Sequence, residues 1–194
     1  MTHHTSDYFR DHQEVVKASL DVLAPVAEAA GRALVASLSA GGKVLCFGNG
    51  GSSSQASHMA GELTGRFNKM RMSLPALSLS ADAGTVTCIA NDFGYEVVFE
   101  RQIEAFAQKG DIALALTTSG KSQSVIRGLK AAHSRGAVSI ALTGKQGLIG
   151  ADADHLLSVP SDVTSHIQEV HLMLIHLWCV EIDRAFAPGA SGAD

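Results

Sequence analysis

His58 and Glu62 stand four residues apart in a run without proline, so on a helix their imidazole and carboxylate share one face. Just ahead of them lies Gly48-Asn49-Gly50-Gly51, followed by the hydroxyls of Ser52, Ser53 and Ser54. A glycine turn that feeds a helix leaves the first backbone N–H groups unpaired and aimed at one spot, which favours an anion. Glycine also lets a ligand approach the backbone closely. An anion cradle with an imidazole and a carboxylate on the helix behind it suits a phosphorylated substrate. A tight turn without a ligand is the plainer alternative. A dinucleotide-binding loop is excluded, because G-x-G-x-x-G would need glycine where Ser53 stands. Nor does an acidic residue close a second strand about 20 residues on, where a ribose would be held.

A second hydroxyl-rich loop, Thr117-Thr118-Ser119-Gly120-Lys121-Ser122, follows another apolar run. It resembles a Walker loop only in part. That motif needs glycine five residues before the Gly-Lys pair, and Ala115 stands there. What remains is a second phosphate cradle at a helix N-terminus, with Lys121 either assisting or simply solvated. Near the C-terminus, Gln168 and His176 are eight residues apart. That is about 80° around a helix, near enough to converge on one partner. Glu169 and His171 are in the same range. A histidine on an apolar helix is also commonly a satisfied core residue. Asn91 and Asp92 fall in a cluster, Asn-Asp-Phe-Gly, whose composition favours a turn that can present polar groups to a ligand.

The elements that must position these groups alternate. Short apolar runs predict strands over residues 43–47, 75–79, 111–116, 137–142 and 155–159, with helices between them. Residues 6–38 read as helical, with a break or a new first turn at Pro25. Further helices are expected over residues 84–89, 95–108, 123–134 and 165–186, and a disordered tail over 187–194. Strand–helix alternation predicts an α/β fold with a doubly wound parallel sheet. Ligands in such sheets sit at the carboxyl ends of the strands, where both hydroxyl loops fall. A helical arm over residues 1–40 covers nothing by itself and is expected to pack on another subunit.

Composition narrows the class. The chain has 194 residues, 46% hydrophobic, enough for one domain with a substantial core. A net charge of −4 without a basic run disfavours a nucleic-acid partner. No stretch is expected to span a membrane, and the first residues lack the layout of a signal peptide. Cys46, Cys88 and Cys179 are scattered and odd in number, which reads as buried thiols in a reducing, cytoplasmic setting. His3, His4, His12, His133 and His155 have no local partner pattern and read as surface or structural.

Several stretches together carry a family resemblance. They are Cys46-Phe-Gly-Asn-Gly-Gly-Ser52, Ser57-His-Met-Ala-Gly-Glu-Leu-Thr-Gly-Arg66, Ala90-Asn-Asp-Phe-Gly94, Thr118-Ser-Gly-Lys-Ser122, Leu142-Thr-Gly-Lys145 and Ile167-Gln-Glu-Val-His171 with His176. In this order they resemble the phosphoheptose isomerases of the sugar-isomerase (SIS) domain family, across nearly the whole chain. The resemblance implies a five-stranded SIS fold flanked by helices, a homotetramer with interfacial active sites, and conversion of D-sedoheptulose 7-phosphate to D-glycero-D-manno-heptose 7-phosphate. That is the first step of bacterial heptose biosynthesis, for lipopolysaccharide or another glycan.

The same resemblance assigns roles. The catalytic pair falls on Glu62 and His176. Substrate contacts fall on Asn49, Gly50, Gly51, Asn91 and Asp92, with Arg66 a motif arginine near the site. Phosphate contacts fall on Ser52, Thr117, Thr118, Ser119 and Ser122. Zinc-binding members use positions matching His58, Glu62, Gln168 and His176, one ion per subunit. Lys121, Thr117 and Ser165 depart from residues common in the family, and Ser165 stands where some relatives carry an acid. Two rivals are a non-catalytic SIS-domain protein that associates with the replication initiator, and an isomerase of another phosphosugar.

Overall fold

Apolar runs bounded by glycine and polar turns build the sheet. The computed structural model describes residues 5–188. Strands β1 (Val44–Gly48), β2 (Ala76–Ser78), β3 (Ile112–Thr117), β4 (Val138–Thr143) and β5 (His155–Ser158) pair in the order β2-β1-β3-β4-β5, every neighbour parallel. The helices are α1 (Thr5–Ser39), α2 (Gly51–Thr64), α3 (Ala83–Phe93), α4 (Val98–Phe106), α5 (Gln123–Ser134) and α6 (Thr164–Phe186). The five-stranded parallel sheet flanked by helices is the predicted one. A loop rather than a helix joins β4 to β5.

Every residue of β1 and β3 is buried, because helices cover both faces. Alternate side chains therefore feed two cores. Cys46, Leu114, Leu116 and Ile140 pack with α1, α2 and α6, while Leu45, Phe47, Ala113 and Ala115 pack with α4 and α5. After β1 the chain moves outward to β2, then returns to the opposite side of β1 as β3. The carboxyl ends of β1 and β3 thus lie side by side, with Gly48 in register with Leu116. Such a reversal opens a crevice between the two loops that follow.

Several expectations need correction. First, α1 runs unbroken through Pro25. Leu23, Ala27, Ala30, Leu34 and Leu38 are buried on one side of the helix, and Trp178 Nε1 donates to the Ala27 carbonyl at 2.9 Å. This packing outweighs the one internal hydrogen bond that proline removes. The C-terminal half of the arm is therefore part of the core, while Phe9, Leu20 and Val22 toward its start are exposed. Second, α1 is long and apolar enough to cross a membrane by length and hydropathy, with a best 18-residue mean of 1.3. Burial inside the fold takes up 39% of that window. Third, Asn91 and Asp92 lie in the last turn of α3 rather than in a loop. Gly94, at φ +95°, ends that helix, so the turn starts later than composition suggested. Cys46 and Cys179 are buried, as expected, but Cys88 is exposed; all three are free thiols. His3, His4 and residues 189–194 of the tail lie outside the described residues.

Candidate active site

The two predicted loops meet at the crevice. Gly50 takes φ +56°, a conformation open to glycine, and turns the chain from β1 into α2. Asn49 Nδ2 donates to Ser122 Oγ at 2.8 Å and to Ser124 Oγ at 3.0 Å, tying the first loop to the second. The Tyr95 hydroxyl donates to Asn49 Oδ1 at 2.7 Å and holds that amide in place. The first-turn N–H groups are less free than expected. Those of Ser52 and Ser53 close tight turns onto the Asn49 and Gly50 carbonyls at 3.1 and 3.0 Å. Ser52 itself is buried.

In the second loop, Gly120 N donates to Thr117 Oγ1 and Lys121 N to Ser119 Oγ, both at 3.3 Å. Gly144 N donates to the Thr118 carbonyl and Ile149 N to the Gly120 carbonyl, which fastens the loops after β3 and β4 together. Gly120 sits at φ +65°, and a Cβ there would run into the Gly147 carbonyl. A cavity of about 180 Å³ opens beside this loop, lined in part by Thr118, Ser119, Lys121, Lys145 and Asp162. Lys145 and Asp162 form an ion pair at its edge.

Helices α2 and α6 bring the titratable groups together. His58 Nε2 lies 3.1 Å from Glu62 Oε1 and 3.1 Å from His176 Nε2. The Phe67 ring stacks on His176 with centroids 5.5 Å apart and planes at 22°. Gln168 faces the start of α2. A Cβ on Gly51 would lie 2.6 Å from Gln168 Nε2, and the backbone carbonyl of Gln168 accepts from Gln55 Nε2 at 2.6 Å. Behind the loop that carries Phe67, the Arg71 Nε to Asp183 Oδ1 pair is 3.0 Å long and almost wholly buried.

The structure thus gathers His58, Glu62 and His176, seats Gln168 against Gly51, and links Asn49 with Ser122. It leaves others apart. Arg66 is exposed beyond the end of α2 and makes no hydrogen bond among the described residues. Asn91 Nδ2 donates to Asp92 Oδ1 at 2.8 Å, and both side chains are exposed on α3. His171 is structural: it is buried, and its Nε2 donates to the Thr143 carbonyl at 3.1 Å, which fixes the tautomer. Burial holds its pKa down at about 4. The sequence reading missed Phe67, Tyr95 and Gln55. Their positions carry no local pattern, and only the fold gives them a partner.

His58, His176 and Glu62 offer two imidazoles and a carboxylate, ligand types that zinc takes. Ligand atoms about 2.1 Å from a tetrahedral ion lie about 3.4 Å apart, close to the two 3.1 Å separations from His58 Nε2. The fold is a parallel five-stranded sheet with hydroxyl loops at its switch point, and residues 7–144 match the family model described as the SIS domain, which makes this a SIS-domain protein. Relatives and solved structures narrow the class. The chain is 46% identical to a phosphoheptose isomerase of Aquifex aeolicus over 173 residues, covering 88% of this chain and 90% of the relative. It is 47% identical to one of Thiobacillus denitrificans over 167 residues, covering 84% and 85%. The solved phosphoheptose isomerase of Neisseria gonorrhoeae superposes with a TM-score of 0.84 at 37% identity, covering 92% of this chain and 96% of that one. The chain belongs to the phosphoheptose isomerase family.

Proposed function

We infer that the protein interconverts D-sedoheptulose 7-phosphate and D-glycero-D-manno-heptose 7-phosphate, the entry reaction of heptose biosynthesis. The observation that carries the catalytic assignment is the meeting of His58, Glu62 and His176 beside the crevice at the carboxyl ends of β1 and β3.

Aldose–ketose isomerisation moves a proton between C1 and C2 through an enediol. It needs a base at carbon and an acid/base at the oxygens. Glu62 takes the carbon-bound proton. His176, held flat by Phe67, moves protons between the two oxygens. The phosphate seats on Ser52, Thr117, Thr118, Ser119 and Ser122. Asn49, fixed by Tyr95 and Ser122, with Gly50 and Gly51, contacts the sugar hydroxyls. Asn91, Asp92 and Arg66 complete the substrate contacts from the rim.

His58, Glu62, Gln168 and His176 would hold one zinc ion, which when bound would supply Lewis-acid polarisation of the substrate carbonyl. A carboxylate that held metal tightly would be a poorer base, so Glu62 would serve as base best when weakly bound.

A homotetramer with interfacial sites fits two faces that none of the described residues covers. Leu20, Met173 and Leu177 are exposed along the α1–α6 groove, and the apolar α3, which carries Asn91 and Asp92, buries no residue. Free thiols fit a cytoplasmic location.

The test is to incubate the protein with sedoheptulose 7-phosphate after chelation, with and without added zinc, and to follow the aldoheptose phosphate by NMR. Product restored by zinc supports isomerase and metal together. Product insensitive to chelation, with no residual zinc, removes the metal and keeps Glu62 and His176. A folded tetramer without product points to the initiator-binding or other-sugar reading.

A further inference from the structure

Away from the crevice, α1 and α6 bring together three metal-ligating side chains that share no local pattern. His12 of α1 meets His166 and Glu169 of α6, and one ligand atom from each lies within 4.8 Å of the other two. His12 Nδ1 stands 3.0 Å from Glu169 Oε2. His166 is only 4% exposed. Among the described residues, His166 Nε2 is buried without a hydrogen-bond partner, and the buried His12 Nδ1 and Glu169 Oε2 make no contact with a polar group beyond their own 3.0 Å approach. Buried polar atoms ordinarily find a partner, so the orphaned His166 Nε2 beside this pair needs an explanation.

We propose that His12, His166 and Glu169 form a second divalent-metal site of the zinc class, which fastens the start of α1 to α6.

The donor set, two imidazoles and one carboxylate, is one that zinc takes, with a fourth position left for water. Bonds of about 2.1 Å require ligand atoms about 3.4 Å apart, so small side-chain rotations close the present spacing. The surroundings are already arranged. The Tyr8 hydroxyl donates to Glu169 Oε1 at 2.6 Å, leaving Oε2 turned toward the histidines. A hydrogen bond to the non-ligating oxygen is the usual way a neighbouring group orients a carboxylate ligand. The Tyr8 ring also packs edge-on against His166 at 4.8 Å. The site is separate from the catalytic group. Gln168 faces Gly51 on α2, whereas Glu169, about 100° further round α6, faces α1.

The untagged protein with His58→Gln and His176→Gln lacks two ligands of the candidate catalytic centre. After chelation and dialysis against Zn²⁺, it is expected to keep one zinc per chain by elemental analysis. Adding His12→Gln, at a partly exposed position, is expected to abolish that zinc and the accompanying rise in Tm while helical circular dichroism is unchanged. If the histidine double variant does not fold, the wild type is compared with His12→Gln alone, which should bind one zinc fewer. A folded double variant without zinc overturns the proposal. So does zinc that survives His12→Gln, which would point to His3 and His4 instead. Because neither comparison reads isomerase activity, failure here and failure of the isomerase reading are distinguishable.

Discussion

The Nε2 atoms of His58 and His176 lie 3.1 Å apart, although 118 positions separate the two residues in the chain. One nitrogen must carry a proton for this to be a hydrogen bond, or both must be unprotonated to share a cation. Glu62, at 3.1 Å from the same His58 nitrogen, serves either state as the anionic partner.

Replacing Glu62 with Gln keeps the shape and removes the base. We expect kcat to fall by about 10²- to 10⁴-fold, the usual worth of a positioned acid/base group, with circular dichroism unchanged. The assay is NMR of the heptose phosphates, with zinc measured in the same sample. Zinc retained with activity lost assigns the loss to proton transfer. A variant with full activity would remove Glu62 from the mechanism.

Gly51→Ala tests the seat of Gln168. The new Cβ would lie 2.6 Å from Gln168 Nε2, closer than nonbonded atoms tolerate, so the amide must move. A displacement of this size near reacting groups costs on the order of 10²-fold in rate. We expect kcat/KM to fall by about that factor with Tm little changed. Wild-type kinetics in the variant would mean that Gln168 has no part in the site.

Tyr95→Phe removes the hydroxyl that donates to Asn49 Oδ1 at 2.7 Å. A lost neutral hydrogen bond amounts to about 1 kcal/mol, which is roughly fivefold in binding. Asn49 is read as contacting the sugar rather than the reacting carbons. We therefore expect KM to rise severalfold with kcat nearly unchanged. A fall in kcat alone would place Asn49 at the chemistry.

Acid should destabilise the fold in two windows. Burial lowers the His171 pKa to about 4. Between its ordinary value near 6.5 and that value, the unfolded chain binds a proton that the folded chain does not, so stability falls as pH falls. For Asp183, burial acts upward, but the N–H groups of Lys69 and Asn68 and the Arg71 guanidinium outweigh it and hold the carboxyl below its usual value. Its stabilisation is present above the ordinary carboxylate range and is lost as pH drops through the folded value. Tm measured from pH 7 to pH 3 is expected to decline throughout. His171→Asn should flatten the upper part of the curve only.

Asp183→Asn at neutral pH leaves the buried Arg71 unpaired. The expected loss is about 3–5 kcal/mol, read by urea unfolding. A loss under about 1 kcal/mol would mean that water reaches the guanidinium.

Legibility in the sequence followed the range of the forces involved. The strands Val44–Gly48 and Ile112–Thr117 were read nearly to the residue, because a parallel strand covered on both faces requires an unbroken apolar run. His58 and Glu62 were paired from spacing, since four residues make one helical turn. The ordered motifs carried the family. Pro25 and the Asn91–Asp92 cluster were misread, because local propensity pointed one way and packing or a late glycine cap the other. The meeting of His176 with His58, the clamp of Tyr95 on Asn49, and the approach of His12 to His166 and Glu169 have no local signal. Each depends on where two helices or loops come to rest on a shared sheet. That placement is set by the summed burial of many side chains, and no short stretch of the chain encodes it.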